Sequence, residues 1–296
     1  MPEGRSTSLP SPVLVDRFSA LAPGYDAVLC DVWGVVHNGL AAFPAACDAL
    51  MRFRAGGGTA ILITNAPRSG EAVGRILDRL KVSRDAYDAI ATSGDVTRGI
   101  VKARLAERVF HVGPERDLSI FAGLNVQFAP PETADYVVCS GLFDDTIETP
   151  ESYGELLAVL RARSLFMVCA NPDIVVERGD ALVYCAGALA DAYAALGGKV
   201  LYCGKPHPPI YDLALATATA LRNGKMPYRE RVLAIGDSVR TDLKGAASFG
   251  LDCMFVTSGI HAEEYGSREA PDLAALNAMF AAGGVKPRGV MRELVW

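Results

Sequence analysis

The chain has 296 residues, a length that favours two domains over a single hydrophobic core. Half of the residues are hydrophobic and 21% are charged, which is typical of a globular protein with a large buried core. The formal net charge is -5, so we expect neither nucleic acid nor an anionic membrane as a partner. No apolar segment approaches the roughly 18 residues that cross a bilayer. The polar stretch Met1–Pro12 does not resemble a signal peptide, so the default prediction is the cytoplasm.

The cysteines and histidines do not form a metal-binding pattern. The seven cysteines lie mostly in apolar runs and make no Cys-x-x-Cys pair, which indicates buried, reduced thiols. The four histidines are far apart and lack zinc-site spacing: His37, His111, His207 and His261.

The first third of the chain alternates predicted strands and helices, the pattern of a doubly wound parallel sheet. An apolar strand from Ala27 ends at Asp31, and its glycine-containing turn leads into the next helix. The following segments are a helix Pro44–Arg54, a strand Thr59–Ile63, a helix Ser69–Lys81, a strand Ala89–Ala91 and a helix ending near Leu105. The three glycines at 56–58 precede a strand and lack phosphate-loop spacing, so we interpret them as a helix C-cap.

The middle of the chain repeats this alternation as a separate unit. Its strands are predicted at Val109–Val112, Tyr136–Cys139, Leu165–Cys169 and Ala181–Tyr184, and its helices at Glu151–Arg163 and Gly187–Leu196. We therefore predict an inserted α/β cap domain over residues 106–202. It divides a Rossmann-like core domain into residues 1–105 and 203–296.

The last third returns to the style of the first. Its predicted elements are strand Val200–Cys203, helix Ile210–Leu221, strand Arg231–Ile235, helix Leu243–Phe249, strand Cys253–Val256 and helix Asp272–Ala282. The tail from Gly283 to Trp296 is expected to pack on the core or on a partner.

Polar residues follow four predicted strands at the ends where an α/β sheet binds ligands. They are Asp31, the pair Thr64-Asn65, Lys205, and Asp237 with Asp242. Each alone has a simpler explanation as a turn or helix cap. Four such strand ends in one chain favour a joint active site.

The chemistry that suits these residues is phosphoryl transfer to a carboxylate nucleophile. Asp31 would attack phosphorus, and Asp31 with Asp237 would supply carboxylates to Mg²⁺. Lys205 would neutralise Asp31 and the phosphate. The Thr64 hydroxyl, and the Asn65 amide or backbone N–H groups, would hold a phosphate oxygen.

The chain resembles the haloacid dehalogenase superfamily, and its insert resembles the cap of the class IIA, NagD-like members. The resemblance covers about residues 25–259 and rests on Asp31-x-x-Gly34, Ile63-Thr64-Asn65, Gly204-Lys205-Pro206, Ile235-Gly236-Asp237-Ser238-x-x-Thr241-Asp242 and, in the insert, Asn171-Pro172-Asp173. It implies a Rossmann-like core, an α/β cap, Mg²⁺ and hydrolysis of a small phosphorylated metabolite. Cap surfaces in this class commonly carry dimer contacts, so a homo-oligomer is compatible with the resemblance.

The resemblance also implies a role for each matched residue. Asp31 corresponds to the nucleophile and Lys205 to the stabilising lysine. Thr64 and Asn65 correspond to the phosphate-binding pair, Asp237 to a metal ligand and Asp242 to its support. The main-chain carbonyl of Trp33 occupies a metal-ligand position. Asn171 and Asp173 correspond to a cap motif that faces the core and the substrate.

One position departs from the family pattern. Trp33 stands where the phosphatases carry an aspartate as general acid and base, and indole cannot transfer that proton. General acid–base help is worth roughly 10²–10⁴-fold, so hydrolysis of ordinary esters is in doubt while good leaving groups are tolerated. His37 could substitute only if its turn folds back; a solvent-facing histidine is the expectation.

Two alternatives to a phosphatase stay open at this point. Trp33 favours a weak or inactive relative that binds a phosphorylated ligand or a protein partner. The retained Asp31, Lys205 and Asp237 favour the enzyme, because a pure binder needs no nucleophile beside a lysine. Hydrolysis at carbon, as in dehalogenases, ranks last because it leaves Asp237 unexplained.

Overall fold

The computed structural model describes residues 13–178, 181–259, 265–266 and 271–296. His261 and the predicted polar stretch Met1–Pro12 lie outside the described residues. Strands and α-helices alternate along most of the chain.

The strands are short, as expected for buried elements of parallel sheets. They are β1 Ala27–Asp31, β2 Thr59–Thr64, β3 Ala89–Thr92, β4 Arg108–Val112, β5 Gln127–Phe128, β6 Tyr136–Cys139, β7 Phe166–Cys169, β8 Val175–Arg178, β9 Ala181–Tyr184, β10 Lys199–Tyr202, β11 Val232–Gly236, β12 Asp252–Val256 and β13 Gly289–Met291. The α-helices are α1 Pro44–Ala55, α2 Gly70–Arg79, α3 Ser93–Lys102, α4 Gly154–Ala162, α5 Ala186–Ala195, α6 Pro208–Leu221, α7 Lys244–Phe249 and α8 Leu273–Gly283.

The first sheet has six strands in the order β13-β12-β11-β1-β2-β3, and every pairing is parallel. From β1 the chain proceeds outward on one side through β2 and β3. It returns after the cap to place β11 on the other side of β1. The strand order therefore reverses between β1 and β11, and such a switch point opens a crevice at the carboxyl ends of the strands.

Both faces of this sheet are covered. Alternate residues of β1 belong to opposite cores: Val28 and Cys30 pack with α1, whereas Ala27 and Leu29 pack with α6. The strand is buried along its whole length, which explains its continuous apolar sequence. The prediction of a doubly wound, Rossmann-like α/β core is confirmed.

The second sheet has five strands in the order β10-β7-β6-β4-β5, again with parallel pairings. Its strands lie between residues 108 and 202, and its two faces also carry separate cores. The antiparallel hairpin β8–β9 projects from this unit. The strands thus fall where an inserted α/β cap is predicted; the boundaries 106–202, 1–105 and 203–296 stay a prediction.

The pattern missed or misplaced the shortest elements. The predicted helix from Glu151 begins as a 3₁₀ turn, Pro150–Tyr153, and becomes α-helical at Gly154. A π-helical turn, Val239–Leu243, precedes α7. Strands β5, β8 and β13 span two, four and three residues, too few to show a period in the sequence.

The C-terminal tail packs on the core, as predicted. Its strand β13 extends the first sheet beside β12. The ring of Trp296 meets Phe18 edge to face with centroids 5.8 Å apart, and the Trp296 carbonyl accepts a hydrogen bond from Arg17. The tail thus closes one edge of the first core.

The seven cysteines are buried and free, in agreement with the prediction of reduced thiols. In the part of the chain that the structure describes, no helix has the length and apolar character needed to cross a membrane.

Candidate active site

Two buried carboxylates meet at the switch point of the first sheet. Asp31 is the last residue of β1, and Asp237 directly follows β11. Because β1 and β11 are parallel neighbours, both side chains emerge at one edge. Oxygen atoms of Asp31, Asp237 and Asp242 all lie within 4.8 Å of one another. The structure therefore brings together the three acids that the sequence placed at separate strand ends.

Glycine is required where the chain passes over Asp237. Gly34 has a φ of +82°, and a Cβ atom there would lie 2.1 Å from Asp237 Oδ2. A Cβ atom on Gly259 would lie 1.9 Å from the same oxygen. Two backbone segments thus approach the carboxylate at distances that side chains would prevent. The glycine after Asp31 in the sequence is explained by this close approach.

Lys205 joins two of the acids. Its Nζ lies 2.6 Å from Asp31 Oδ1 and 2.6 Å from Asp242 Oδ1. All three side chains are buried, so the ion pairs are little screened by solvent. Such charge-assisted hydrogen bonds fix the carboxylate of Asp31 in one orientation.

The pKa values of this cluster show how its charges compete. Burial raises the pKa of Asp31 to about 7; Lys205 opposes that rise and Asp242 adds to it. Burial disfavours the ammonium form of Lys205, yet Asp242 and Asp31 hold the pKa of Lys205 well above its usual value. The lysine is therefore charged at neutral pH. Three carboxylates facing one ammonium group favour a further cation.

Asp242 is held by the turn that begins α7. Its Oδ2 accepts a hydrogen bond from the Ser238 N–H at 3.2 Å, and the Ser238 hydroxyl accepts one from Thr241. The turn therefore presents Oδ1 of Asp242 to Lys205. The structure places Asp242 in direct contact with the lysine.

Asn65 fastens the lysine loop to the end of β2. Its Oδ1 accepts from the Lys205 N–H at 2.7 Å, and its Nδ2 donates to the Lys205 carbonyl at 3.0 Å. Nδ2 also donates to Asp173 Oδ1 at 2.9 Å. Both amide hydrogens are thus engaged within the protein. Of the two phosphate contacts considered for Asn65, the backbone N–H is the one that stays available beside the Thr64 hydroxyl.

The cap contributes its predicted motif to the same place. Asp173 contacts Asn65 of the core, so one hydrogen bond joins the two sheets' carboxyl ends. Asn171 uses its Oδ1 to accept the Asp173 N–H at 3.1 Å, which shapes the turn after β7. Asp173 therefore lies at the site, and Asn171 supports it from behind.

His37 is buried, so the expectation of a solvent-facing histidine is wrong. The turn after β1 curls back because Gly34 and Gly39 both adopt positive φ. The imidazole is 4% exposed and meets the Trp33 ring edge to face with centroids 5.2 Å apart. Nδ1 accepts the Gly39 N–H at 2.8 Å. Burial lowers the pKa of His37 to about 4, so the ring is neutral at pH 7 and is no source of a proton.

The acids open into a cavity of about 320 Å³ between core and cap. Its wall includes Asp31, Thr64, Asp173, Lys205 and Asp237. A second cavity of about 300 Å³ adjoins the first. The two share a wall formed by Trp33, Thr64, Asp173 and Val176. Trp33, with 38% of its surface exposed, therefore separates the carboxylate site from a neighbouring pocket.

Several cavity residues were missed by the sequence interpretation. In the first cavity these are Tyr202, His207, Arg240 and Lys244; in the second they are Arg68, Arg116, Asp117 and Ser140. Ser140 follows strand β6 directly, and Asp117 follows β4 after a short loop. The strand-end criterion that selected Asp31 would have selected Ser140 had it been applied to the cap sheet.

The fold and the site together define a hydrolase of the haloacid dehalogenase type. The family model "Haloacid dehalogenase-like hydrolase" matches residues 28–127, and a HAD-hydrolase-like model matches residues 202–278. These segments contain the core strands that carry Asp31, Thr64 and Asp237.

Among solved structures, the chain is similar to a haloacid dehalogenase-like hydrolase from Brucella suis 1330. The two are 48% identical, cover 95% of this chain and 100% of that one, and superpose with a TM-score of 0.83. Ribonucleotide monophosphatase NagD of Escherichia coli K12 is 25% identical over 79% of this chain and 88% of its own. Dihydroxyacetone phosphatase of Corynebacterium glutamicum is 33% identical over 31% of this chain and 32% of its own. The chain belongs to the haloacid dehalogenase-like family and is a phosphatase of its NagD-like class IIA.

Proposed function

We propose that the protein is a Mg²⁺-dependent phosphatase in which Asp31 forms an aspartyl-phosphate with a small phosphorylated metabolite. The observation that carries this proposal is the arrangement of Lys205, whose ammonium group lies 2.6 Å from Asp31 while Asp237 stands on the other side of the switch point. A lysine and a cation site flanking one carboxylate provide positive charge on both sides of an incoming phosphate.

The donor set suits Mg²⁺. Asp31 and Asp237 offer carboxylate oxygens, and among the described residues no donor forms a hydrogen bond with the Trp33 carbonyl. These three groups would hold the ion, which favours oxygen ligands and keeps several waters. When bound, Mg²⁺ would supply positive charge to the phosphate oxygens.

Asp31 acts as the nucleophile in two balanced steps. Lys205 holds Oδ1, so Oδ2 attacks phosphorus while the bond from phosphorus to the leaving oxygen breaks. The leaving oxygen takes a proton from solvent. Water then attacks phosphorus, which releases inorganic phosphate and the Asp31 carboxylate. The Thr64 hydroxyl and the Asn65 backbone N–H hold a phosphate oxygen in both steps.

Trp33 limits which leaving groups are accepted. The indole and the neutral His37 beside it provide no general acid, so an alkoxide leaves without help. Acyl phosphates and phenolic esters depart as weaker bases and need less assistance. The names of the relatives, a ribonucleotide monophosphatase and a dihydroxyacetone phosphatase, support a small phosphorylated substrate. The cytoplasmic location and self-association stay predictions.

Trp33 is also the observation that favours the second candidate, a protein that binds a phosphorylated ligand and turns it over slowly or not at all. The buried Lys205–Asp31 pair argues against this candidate, because burying a charge pair costs free energy that simple binding does not require.

Turnover of paired esters tests the proposal. We expect acetyl phosphate and p-nitrophenyl phosphate to be hydrolysed at least 100-fold faster than alkyl phosphates, the low end of the roughly 10²–10⁴-fold worth of acid catalysis. Turnover should stop in EDTA and return with Mg²⁺. Asp31→Asn serves as the inactive control. If no ester is hydrolysed while phosphate still binds in a calorimetric titration, the binding protein is the correct function.

A further inference from the structure

The second cavity lies at the carboxyl ends of strands in both sheets. Its core side comes from the segments after β1 and β2, and its cap side from those after β4, β6 and β7. Ligands of α/β sheets bind at these strand ends. Because it shares Thr64 and Trp33 with the carboxylate site, a phosphate bound beside Thr64 would direct its ester group into either cavity.

A buried carboxylate faces this cavity with an unused oxygen. Asp117 is 3% exposed, and its Oδ1 has no hydrogen-bond partner. The nearest cationic atom is Arg68 Nε at 3.7 Å, which is an ion-pair distance without a hydrogen bond. A buried acceptor left unpaired is costly, so Asp117 is expected to receive a donor when the cavity is filled.

The rest of the polar floor is already paired. Ser140 is 3% exposed and its hydroxyl lies 2.9 Å from His111 Nε2. Arg116 forms an ion pair with Asp145. Asp117 therefore differs from its neighbours in keeping one oxygen atom for a ligand.

The remaining walls are apolar. Val73 and Ile76 of α2 face Val183 of the hairpin β8–β9, and Trp33 closes the side toward the acids. Gly39 holds the indole in place, because a Cβ atom there would lie 2.4 Å from its ring. An aromatic face beside a carboxylate offers C–H contacts on one side of a ligand and hydrogen bonds on the other.

The charges of the lining favour a neutral ligand. Arg68 and Arg116 are matched by Asp117 and Asp145, and Asp173 lies in the shared wall. An anionic group would meet these carboxylates, and a cationic group would meet the two guanidinium groups. Burial raises the pKa of Asp117, which agrees with a site where the carboxylate lacks a donor.

We propose that the second cavity holds the leaving group of the substrate, and that this group is neutral and hydroxylated, with one hydroxyl donating to Asp117 Oδ1 and accepting from Arg68. The proposal rests on the phosphatase function and deepens it. Asp117 and Arg68 then determine specificity, while Asp31 and Lys205 perform the reaction.

Competitive inhibition separates this proposal from the chemistry. p-Nitrophenyl phosphate is the reporter substrate, with glycerol 1-phosphate and n-propyl phosphate as inhibitors that differ only in hydroxyl groups. A hydrogen bond to a buried charged group is worth roughly tenfold or more in affinity, so we expect the wild type to bind glycerol 1-phosphate at least tenfold more tightly. In Asp117→Asn the preference should fall below threefold, with n-propyl phosphate unchanged within twofold.

Glu115→Gln is the matched control, because Glu115 lies on the same 3₁₀ helix and is exposed. It should keep the wild-type preference. Equal affinity of the wild type for both inhibitors, or an equal loss for both in Asp117→Asn, would overturn the proposal. If Asp117→Asn does not fold, Arg68→Gln, at a partly exposed side chain, provides the second variant and should lower the same preference.

The reporter reaction also distinguishes the two levels of the argument. Without hydrolysis of p-nitrophenyl phosphate the proposed function fails, and calorimetric titration of the same two phosphates then decides the cavity proposal by the same affinity ratio. With hydrolysis but no preference for hydroxyl groups, the function stands and the cavity assignment is wrong.

Discussion

At the scale of single residues, the site depends on groups that the fold holds rigidly. Lys205 is fixed by Asn65 through its backbone and by two carboxylates through its side chain. Trp33 is fixed by Gly39 and His37. The first arrangement positions charge for the reaction. The second replaces the group that would donate a proton and so defines the chemical limit of the enzyme.

Restoring an acid at position 33 tests that limit. Trp33→Asp should raise kcat/KM for alkyl phosphates about 100-fold, the low end of the roughly 10²–10⁴-fold contribution of general acid catalysis. p-Nitrophenyl phosphate should change far less, because its leaving group needs little help. Trp33→Asn is the matched control, since its amide donates no proton. An equal effect of Asp and Asn on both substrates would contradict the assignment of Trp33 as the missing acid.

Asp237 carries the prediction for the metal. Asp237→Asn should weaken Mg²⁺ binding at least about tenfold, because loss of even an outer partner of a metal ligand costs roughly 10–100-fold. Calorimetric titration of Mg²⁺ measures this directly. Asp212→Asn, at an exposed carboxylate on α6, should leave the affinity unchanged. Unaltered Mg²⁺ affinity in Asp237→Asn would mean that the ion binds elsewhere.

At the scale of elements, sequence pattern predicted the strands and helices that have a clear period or a cap. Strand β1 reads as a continuous apolar run, and Ser69 and Pro44 mark the starts of α2 and α1. The turn after β1 could not be predicted, because the position of His37 depends on two glycines in positive φ. The π-helical turn before α7 left no sign in the sequence.

The cap of α2 gives a test at this scale. The Ser69 hydroxyl accepts the Ala72 N–H at 3.2 Å, so Ser69→Ala should lower the free energy of unfolding by about 1 kcal/mol in urea titrations. Ser248→Ala, at an exposed position inside α7, should instead raise that free energy by a few tenths of a kcal/mol, because alanine has the higher helix propensity. Equal changes in both variants would show that Ser69 does not act as a cap.

At the scale of the whole molecule, the active site joins residues that are distant in sequence. Lys205 contacts Asp31 across 174 positions and Asn65 contacts Asp173 across 108. The strand-end pattern predicted which residues meet, because parallel strands place their carboxyl ends together. It could not predict that Asn65 spends its amide on Lys205 and Asp173, nor that Asp117 faces a second cavity. Those facts depend on how the cap rests on the core.

Stability of the whole chain should depend on pH through its buried histidines. Burial lowers the pKa of His37 and of His111 to about 4, against an ordinary value of 6.5. Between pH 6.5 and 4 the unfolded chain therefore binds more protons, so the free energy of unfolding falls as the pH falls. Each histidine contributes a slope of up to about 1.4 kcal/mol per pH unit. This contribution is fully present above pH 6.5.

Urea titrations at several pH values between 7.5 and 4.5 measure that dependence. His37→Gln should reduce the slope relative to the wild type, and the difference isolates the histidine from carboxylates that titrate in both proteins. The same slope in the variant and the wild type would show that His37 titrates normally in the folded protein.

The most direct test of the central claim is to trap the phosphorylated enzyme. The protein is mixed with ³²P-acetyl phosphate and Mg²⁺, quenched in acid within one turnover, digested and mapped. We predict a phosphoryl group that is stable in acid and labile to hydroxylamine, carried by the peptide that contains Asp31 and absent from Asp31→Asn. A phosphoryl group on another residue, or undiminished hydrolysis by Asp31→Asn, would contradict the account.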